Sequence, residues 1–324
     1  MKLVTFFAVF ALGMLGTPLA LEAQQARVYR VGVIHHGGPY NETIQGLRDG
    51  LRQLGLEEPK DLVLDIRDTK GDLKAVQEAA RNLVREKVKL IYAVTTNVTT
   101  VVRQVTTGIT IVFAVGADPV AEGLVDSFAK PGGRLTGIHY LTSDLTAKRL
   151  EVLKEILPKA RRVVTFYNPN QRVAREGARL GREAGRHLRI EFVERHAASV
   201  EELRAALQAL KAGEADAFFL VPDALVISQA QLIIDTARAK RLPTMFHERS
   251  IVAMGALASY GVNNREIGRL SAKYVHRILA GANPNDLPVE NVDRLELVLN
   301  LRAARELGLT IPQSLVLRAD HVIK

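Results

Sequence analysis

The sequence contains no cysteine among its 324 residues. This absence excludes a disulfide framework, a thiolate metal site and a cysteine nucleophile. It also excludes a lipid anchor of the bacterial lipoprotein type, because the acyl chains of that anchor are attached to a cysteine. An exported chain without such an anchor needs an outer membrane to retain it, which favours a periplasmic location.

Catalytic signatures are also absent. We find no Gly-x-Ser-x-Gly elbow, no P-loop and no His-Glu-x-x-His pair, and Gly-x-Gly-x-x-Gly does not follow the first predicted strand. His35, His36, His139 and His247 are candidate metal ligands. However, adjacent residues of an extended chain point in opposite directions, and no helical His-x-x-x-His spacing occurs. We therefore expect a protein that is not an enzyme and that holds neither a metal nor a cofactor.

The sequence has no block of basic residues, although its net charge is +9. A positive charge attracts polyanions, but acidic residues are interleaved with the basic ones and no basic-aromatic motif occurs. We therefore expect no nucleic-acid partner. Six arginines recur every three or four residues between Arg172 and Arg189. This stripe is either a solvated helix face or a docking surface for an acidic patch on a permease.

The N-terminus carries the one long apolar run, over residues 3–16, after the charged Lys2 and before the small residues Ala20 and Ala23. This order is typical of an export signal, and the run is too short to span a bilayer comfortably. We predict a signal peptide over residues 1–23, cleaved after Ala23 or, alternatively, after Ala20. The other interpretations are a buried N-terminal helix and a retained membrane anchor.

Short β-branched runs alternate with amphipathic segments along the rest of the chain. Predicted strands at residues 29–34, 62–66, 90–94 and 111–115 form a first series, and the alternation restarts at residues 135–139. This pattern predicts an α/β protein with two doubly wound parallel-sheet lobes joined by a hinge. We assign residues 24–138 plus 261–289 to the N-terminal lobe, and residues 139–260 plus 290–324 to the C-terminal lobe.

A series of short motifs occurs from about residue 23 to the C-terminus. They are Ala23-Gln24-Gln25, Ile111-Val112-Phe113, Asp118-Pro119-Val120, Lys130-Pro131-Gly132-Gly133, Leu135-Thr136-Gly137, Ala147-Lys148-Arg149-Leu150, Asn168-Pro169-Asn170, Ser259-Tyr260-Gly261, Leu299-Asn300-Leu301, Leu307-Gly308-Leu309, Ile311-Pro312 and Arg318-Ala319-Asp320. In their order and spacing, the chain resembles the ABC transporter substrate-binding family, whose members include binders of tryptophan and other aromatic amino acids.

The resemblance implies a fold like that of the type I periplasmic binding proteins, whose two lobes close on a small-molecule ligand. It also implies an ABC permease of the inner membrane as partner, and we expect the binding protein to be a monomer. The pair His35-His36 departs from the serine- or glycine-like loop that is usual in the family. This departure leaves the ligand class open.

Doubly wound sheets bind ligands beyond the carboxyl ends of their strands. Small and polar residues follow the predicted strand ends here, and we select as candidate ligand contacts His36, Gly37, Tyr40, Thr96, Asn97, Asp118, Tyr140, Asn168, Asn170, Asp223 and Glu248.

Two of these groups have a specific chemistry. Thr96 and Asn97 open a predicted helix, whose first N–H groups attract a carboxylate or phosphate, although either residue also serves as a plain helix cap. Asp118, Asp223 and Glu248 offer negative charge to an amine, although an Asp before Pro often fixes a turn. We therefore expect an amino acid or a related small carboxylate as ligand. On this hypothesis, Asp223→Ala weakens binding and leaves the melting temperature of the apo protein nearly unchanged.

Other functions remain open from the sequence. A periplasmic sensor that presents its bound form to a receptor has the same features as a transport protein. A sugar-type transcription regulator needs a helix-turn-helix before the first lobe, where the export signal stands instead. A hydrolase or isomerase on a similar fold needs catalytic motifs that we do not find.

Overall fold

A computed structural model describes residues 28–140, 145–292 and 294–324. The predicted signal peptide and the start of the mature chain lie outside the described residues. In the described part of the chain, no helix is long and apolar enough to cross a bilayer.

The described residues alternate between strands and helices. The strands are β1 (Tyr29–His35), β2 (Leu62–Asp68), β3 (Leu90–Val94), β4 (Thr110–Val115), β5 (Leu135–His139), β6 (Arg162–Tyr167), β7 (Glu191–His196), β8 (Ala217–Phe219), β9 (Thr244–Phe246), β10 (Ala258–Val262), β11 (Glu290–Asn291), β12 (Leu295–Asn300) and β13 (His321–Ile323). The α-helices are α1 (Tyr40–Gln53), α2 (Leu73–Arg85), α3 (Thr96–Val105), α4 (Leu145–Ile156), α5 (Arg172–Leu188), α6 (Val200–Ala209), α7 (Ala224–Ser228), α8 (Ala230–Ala239), α9 (Arg249–Ala253), α10 (Asn264–Leu279), α11 (Leu301–Leu307) and α12 (Gln313–Arg318).

The strands form two sheets. The first is six-stranded, in the order β11-β5-β4-β3-β1-β2, and all of its pairs are parallel. The second is seven-stranded, in the order β13-β12-β10-β9-β8-β6-β7, and is parallel except for the antiparallel pair β10–β12. The predicted α/β fold with two parallel-strand sheets is confirmed.

Helices cover both faces of each sheet. In β1, Val31 and Val33 belong to the apolar core shared with α1 and α10, whereas Ile34 belongs to the core shared with α2 and α3. In β6, Val163 packs in a core with α4 and α5, whereas Val164 packs in a core with α6 and α8. Because these strands are buried on both faces, their sequences are nearly continuous runs of apolar residues.

The chain passes between the sheets after β5, after β10 and after β11. After the second passage, α10 packs closely on α1, because both helices have glycine where they touch. A methyl group on Gly46 would lie 1.8 Å from the Arg265 carbonyl oxygen, and one on Gly268 would lie 1.9 Å from that of Thr43. This contact fixes α10 to the first sheet.

We propose the first sheet with its helices as the N-terminal lobe and the second sheet with its helices as the C-terminal lobe. Relative to the predicted boundaries at 260 and 289, β10 continues in the second sheet to Val262, and β11 pairs with the first sheet through Asn291. The chain thus leaves the second sheet after Val262 and the first sheet after Asn291, in each case two residues later than predicted. The pairing partners decide these positions, and the local sequence does not encode them.

Candidate functional site

A cavity of about 280 Å³ lies between the two lobes, at the carboxyl ends of the parallel strands. Doubly wound sheets bind ligands at this position, and the volume is close to the lower end of small-molecule sites. The N-terminal lobe contributes Tyr40, Leu73, Thr95, Thr96, Asn97, Thr100, Val101, Gly116, Glu122 and Tyr140; the C-terminal lobe contributes Gln171, Arg172, Val173, Pro222, Asp223, Ala224, His247 and Glu248.

The structure brings part of the predicted set together. The candidates that line the cavity are Tyr40, Thr96, Asn97, Tyr140, Asp223 and Glu248. The candidates outside the cavity lining are His36, Gly37, Asp118, Asn168 and Asn170. The strand-end rule finds residues that directly follow a strand, but it misses the apolar wall, which the first two turns of the next helices supply: Leu73, Val101, Val173 and Ala224.

The start of α3 forms one pole of the cavity. Thr95 precedes the helix with φ of 90° and ψ of 155°, a backbone conformation that costs a residue with a side chain about 1–3 kcal/mol. Its hydroxyl oxygen and the Asn97 Oδ1 both accept from the Val98 N–H, at 3.5 and 2.9 Å. The N–H groups of Thr96 and Asn97 belong to the first helical turn, which has no acceptor within the helix. This pole is suited to a carboxylate.

Replacing Thr95 with glycine separates backbone strain from ligand binding. Glycine adopts a positive φ freely, so the relief of strain offsets the lost cap, and the free energy of unfolding should change by no more than about 1 kcal/mol. The affinity for ligand should fall by about tenfold, because the first turn of α3 is then held less rigidly. Calorimetric titration and thermal unfolding measure the two effects.

The control for Thr95→Gly is Lys70→Gly. Lys70 also has a positive φ, of 49°, and it is exposed outside the cavity lining. This control should leave affinity unchanged. If Thr95→Gly also binds normally, the strained backbone has no part in recognition.

Glu248 and His247 follow β9 and form the opposite pole. Both side chains are buried, and Glu248 is only 2% exposed. Burial raises the pKa of the Glu248 carboxyl group to about 8, although a hydrogen bond from Asn264 and the charge of Arg149 oppose this shift. Burial lowers the pKa of His247, so the 3.5 Å contact between its Nε2 and the Glu248 Oε1 is not an ion pair at neutral pH. A cation bound in the cavity would favour the charged form of this carboxyl group, which burial otherwise disfavours.

Asp223 lines the cavity, but its carboxylate is occupied. Oδ1 accepts from the N–H groups of Leu225 and Val226 at 2.9 and 3.0 Å, which caps α7, and Oδ2 accepts from the Asn168 N–H at 2.6 Å. Burial raises the pKa of Asp223 to about 6, against the opposing effect of these three backbone donors. Structurally, Asp223 joins two strand-end turns of the C-terminal lobe.

The candidates outside the cavity lining make local hydrogen bonds. The Asp118 Oδ1 accepts from Val120 N–H at 2.8 Å, and the Asn168 Oδ1 accepts from Asn170 N–H at 2.9 Å. Short polar side chains that follow a strand often bond to amides two residues ahead in this way. These contacts of Asp118 fit the alternative that the sequence offered for it, a residue that fixes a turn.

The loop after β1 also lies behind the site. The His36 ring contacts the Thr69 Oγ1 at 2.8 Å through Nδ1 and the Asn97 Oδ1 at 3.3 Å through Nε2. Burial lowers the pKa of His36 to about 4. Gly37 has a positive φ of 70°, and a methyl group there would lie 2.5 Å from the Asp68 carboxylate. His36 thus supports the Asn97 side chain, and Gly37 is required by the turn.

The described residues contain no group of three or more His, Asp or Glu side chains placed to hold a metal ion. His35, adjacent to His36, accepts from the Gly37 N–H through Nδ1 at 3.1 Å. The cavity instead offers a helix start, a buried carboxyl group and an apolar wall, which suits a small organic molecule with both charges.

Comparisons with known proteins identify the family of this chain. The profile of a family described as "ABC transporter substrate binding protein" matches residues 30–323. A tyrosine-binding protein of Clostridioides difficile strain R20291 is 27% identical over 257 residues, which cover 79% of this chain and 73% of that protein.

Two solved structures are also similar. A Streptococcus pneumoniae ABC domain in complex with L-Trp is 22% identical, with a TM-score of 0.82, and the match covers 92% of this chain and 100% of that one. A substrate-binding protein with adhesive properties from Clostridium difficile, in its ligand-free, open structure, is 25% identical, with a TM-score of 0.62 and the same coverage. The first of these shows the shared fold. With the match over residues 30–323, the chain belongs to the ABC transporter substrate-binding protein family.

Proposed function

We propose that this chain is the periplasmic binding protein of an ABC importer and that it captures a zwitterionic amino acid between its two lobes. The observation that carries the proposal is the pairing of two opposite poles in one cavity. The start of α3, in the N-terminal lobe, offers free amides to a carboxylate, and Glu248, in the C-terminal lobe, offers a carboxyl group to an ammonium group.

The side chain of the ligand would lie against the apolar wall. Leu73 and Val101 from one lobe face Val173 and Pro222 from the other across the same cavity. Such a wall favours an apolar or aromatic side chain over a charged one, because a buried charge without a partner is costly. The tyrosine-binding relative and the L-Trp complex support an aromatic amino acid as the best candidate.

A thermal-shift screen of the twenty standard amino acids tests this proposal. L-tyrosine or L-tryptophan should raise the melting temperature, because a ligand that binds only the folded state adds its binding free energy to stability. D-enantiomers are the matched control, since they place the ammonium group differently between the two poles. If no amino acid raises the melting temperature, the proposed ligand class is wrong.

The lobes already touch in the described structure, as closure requires. Ser228 at the end of α7 lies between two loops of the N-terminal lobe: a methyl group on Gly38 would be 3.3 Å from its Cα, and one on Gly71 would be 3.2 Å from its Oγ. The TM-score of the chain is also higher with the L-Trp complex (0.82) than with the ligand-free, open structure (0.62), although its sequence identity to the latter is higher. Both facts support a closed arrangement.

Ser228→Trp should hold the lobes apart, because an indole does not fit between Gly38 and Gly71. A ligand shifts an open–closed equilibrium only through contacts that are better in the closed state. The wild type should therefore show a smaller radius of gyration with ligand in small-angle scattering, and the variant should not. Leu317→Trp, at a position 77% exposed, is the control. Normal compaction of Ser228→Trp would contradict closure at this contact.

A further inference from the structure

Arg172 connects the two lobes at the edge of the cavity. It is the first residue of α5 in the C-terminal lobe, and its Nη1 donates to the Ala121 carbonyl oxygen of the N-terminal lobe at 3.2 Å. Its Nε lies 3.5 Å from the Glu122 Oε1. These contacts exist only while the lobes are together.

The same residues separate the cavity from the outside. An outer groove of about 650 Å³ adjoins the cavity, and the residues that line both spaces are Gly116, Glu122, Arg172 and Val173. A ligand leaving along this groove would pass between Arg172 and Glu122. The pair therefore stands at a mouth of the cavity.

The position of Arg172 is unfavourable for local helix stability. The first turn of α5 contains no acidic residue, and a cation at a helix N-terminus opposes the helix dipole. An acidic side chain would stabilise this helix start better. The interlobe contacts give a reason for an arginine there that helix stability does not.

Turns on both sides of the mouth hold the pair in place. In the N-terminal lobe, Asp118 accepts from the Ala121 N–H through Oδ1 at 3.2 Å and from the Glu122 N–H through its carbonyl oxygen at 2.9 Å. In the C-terminal lobe, the Asn168 carbonyl oxygen accepts from the Gln171 N–H at 3.0 Å, directly before Arg172. Asp118 and Asn168, two candidate ligand contacts that lie outside the cavity lining, thus build the turns that position Glu122 and Arg172.

The neighbouring arginines of the stripe behave differently. Arg175 donates to the Pro169 carbonyl oxygen at 2.6 Å, Arg179 pairs with Glu176 and Glu183, and Arg182 pairs with Glu194. All of these partners are in the C-terminal lobe. Arg179 and Arg182 are thus paired with carboxylates of their own lobe, and Arg172 differs from these three arginines in reaching across to the other lobe.

We propose that Arg172 and Glu122 form a latch across the mouth of the cavity that slows ligand release. The pair is a positioning device: it holds the lobes closed and needs no contact with the ligand. This inference goes beyond the proposed function, because it concerns the rate of escape and not the choice of ligand.

Ligand release measured by stopped flow with L-tyrosine and L-tryptophan tests the latch. Arg172→Ala should release ligand about two- to fivefold faster, since the pair is partly exposed. Arg172→Glu should release it roughly tenfold faster, because repulsion from Glu122 replaces attraction. The melting temperature of the apo Arg172→Glu protein should not fall, because a carboxylate suits the start of α5.

Two further variants control this result. Arg175→Ala removes a charge one turn away whose contact stays within one lobe, and its release rate should equal that of the wild type. The charge swap Arg172→Glu with Glu122→Arg should restore slow release. Unchanged release in Arg172→Glu, or equal acceleration in Arg175→Ala, would overturn the latch.

A readout without ligand separates failure of the latch from failure of the proposed function. Because the chain has no cysteine, dyes can be attached at Leu54→Cys and Leu317→Cys, at positions 39% and 77% exposed, one in each lobe. If neither amino acid binds, the proposed function fails, but energy transfer in the apo protein still reports the closed fraction. This fraction should fall with salt in the wild type and be lower in Arg172→Glu. Equal closed fractions in both proteins would overturn the latch.

Discussion

Replacing Glu248 with glutamine is expected to lower the affinity for L-tyrosine or L-tryptophan by about ten- to a hundredfold at pH 8. This is the loss that follows when one partner of a charge-assisted hydrogen bond is removed, about 1.5–3 kcal/mol. The melting temperature of the apo variant should not fall, because the buried carboxyl group already prefers its neutral form in the empty cavity. Glutamine keeps the size of the side chain and removes only the charge.

The affinity of the wild type should also depend on pH, with a definite sign. Below its pKa of about 8, the empty site holds Glu248 protonated, whereas the complex with an ammonium group needs the carboxylate. Binding then releases a proton, so the dissociation constant should fall by about fifteenfold in total as pH rises from 6.5 to 8, and level off above 8. Four neighbours of Glu248 do not change their charge in this pH range. Burial keeps His247 neutral and raises the pKa of Tyr40 and Tyr140. Arg149 stays cationic, with its pKa lowered to about 9.

Calorimetric titrations in buffers of different ionisation enthalpy measure this proton release directly. Glu248→Gln should release no proton and should bind with little pH dependence between 6.5 and 8. Glu290→Gln, at an exposed carboxylate paired with Lys273, is the matched control and should behave as the wild type. If Glu248→Gln binds as tightly as the wild type at pH 8, Glu248 does not hold the ligand amine.

Asp223→Ala is expected to lower the free energy of unfolding of the apo protein by about 2–4 kcal/mol. Asp223 is 5% exposed, and its removal leaves the buried N–H groups of Asn168, Leu225 and Val226 without their acceptor. Each such loss costs about 1–3 kcal/mol, part of which water entering the cavity would recover. This outcome differs from the expectation drawn from the sequence, in which Asp223→Ala leaves the melting temperature of the apo protein nearly unchanged.

Asp72→Ala provides the matched control for Asp223→Ala. Asp72 also caps a helix, accepting from the Lys74 N–H at 2.8 Å, but it is exposed and lies outside the cavity lining. Its removal should cost only about 1 kcal/mol, the usual value for an exposed cap. Chemical denaturation of both variants measures the difference. If Asp223→Ala keeps the full stability of the wild type and loses ligand affinity, Asp223 is a ligand contact after all.

The sequence predicts the fold where hydrophobic periodicity is strong. The runs at β1, β3, β4 and β6 are buried on both faces, so their apolar residues are continuous and easily recognised. The short edge strands β11, which is exposed, and β13, which is partly exposed, escape prediction. Their place is decided by pairing with β5 and β12, which are distant in sequence. Local patterns contain no signal for such pairings.

The sequence predicts the position of the candidate site better than the role of each residue. Strand ends locate Thr96, Tyr140 and Glu248 at the cavity. They do not reveal whether a polar side chain points into the cavity or bonds to its own backbone, as Asp118 does. They also give no sign of Arg172, whose partner Glu122 is fifty residues away and on the other lobe. An arginine at the start of a helix whose first turn contains no acid is the one local signal that would have identified it.

Titration of the wild type with L-tyrosine, tyramine and 3-(4-hydroxyphenyl)propionate at pH 8 tests the central claim most directly. The amino acid carries both charges, and each analogue lacks one of them. If the start of α3 holds the carboxylate and Glu248 holds the ammonium group, the amino acid should bind with one site per chain, and each analogue about ten- to a hundredfold more weakly. Equal affinity for either analogue would contradict the two-pole site, and failure of L-tyrosine and of L-tryptophan in the same titration would contradict aromatic amino-acid capture.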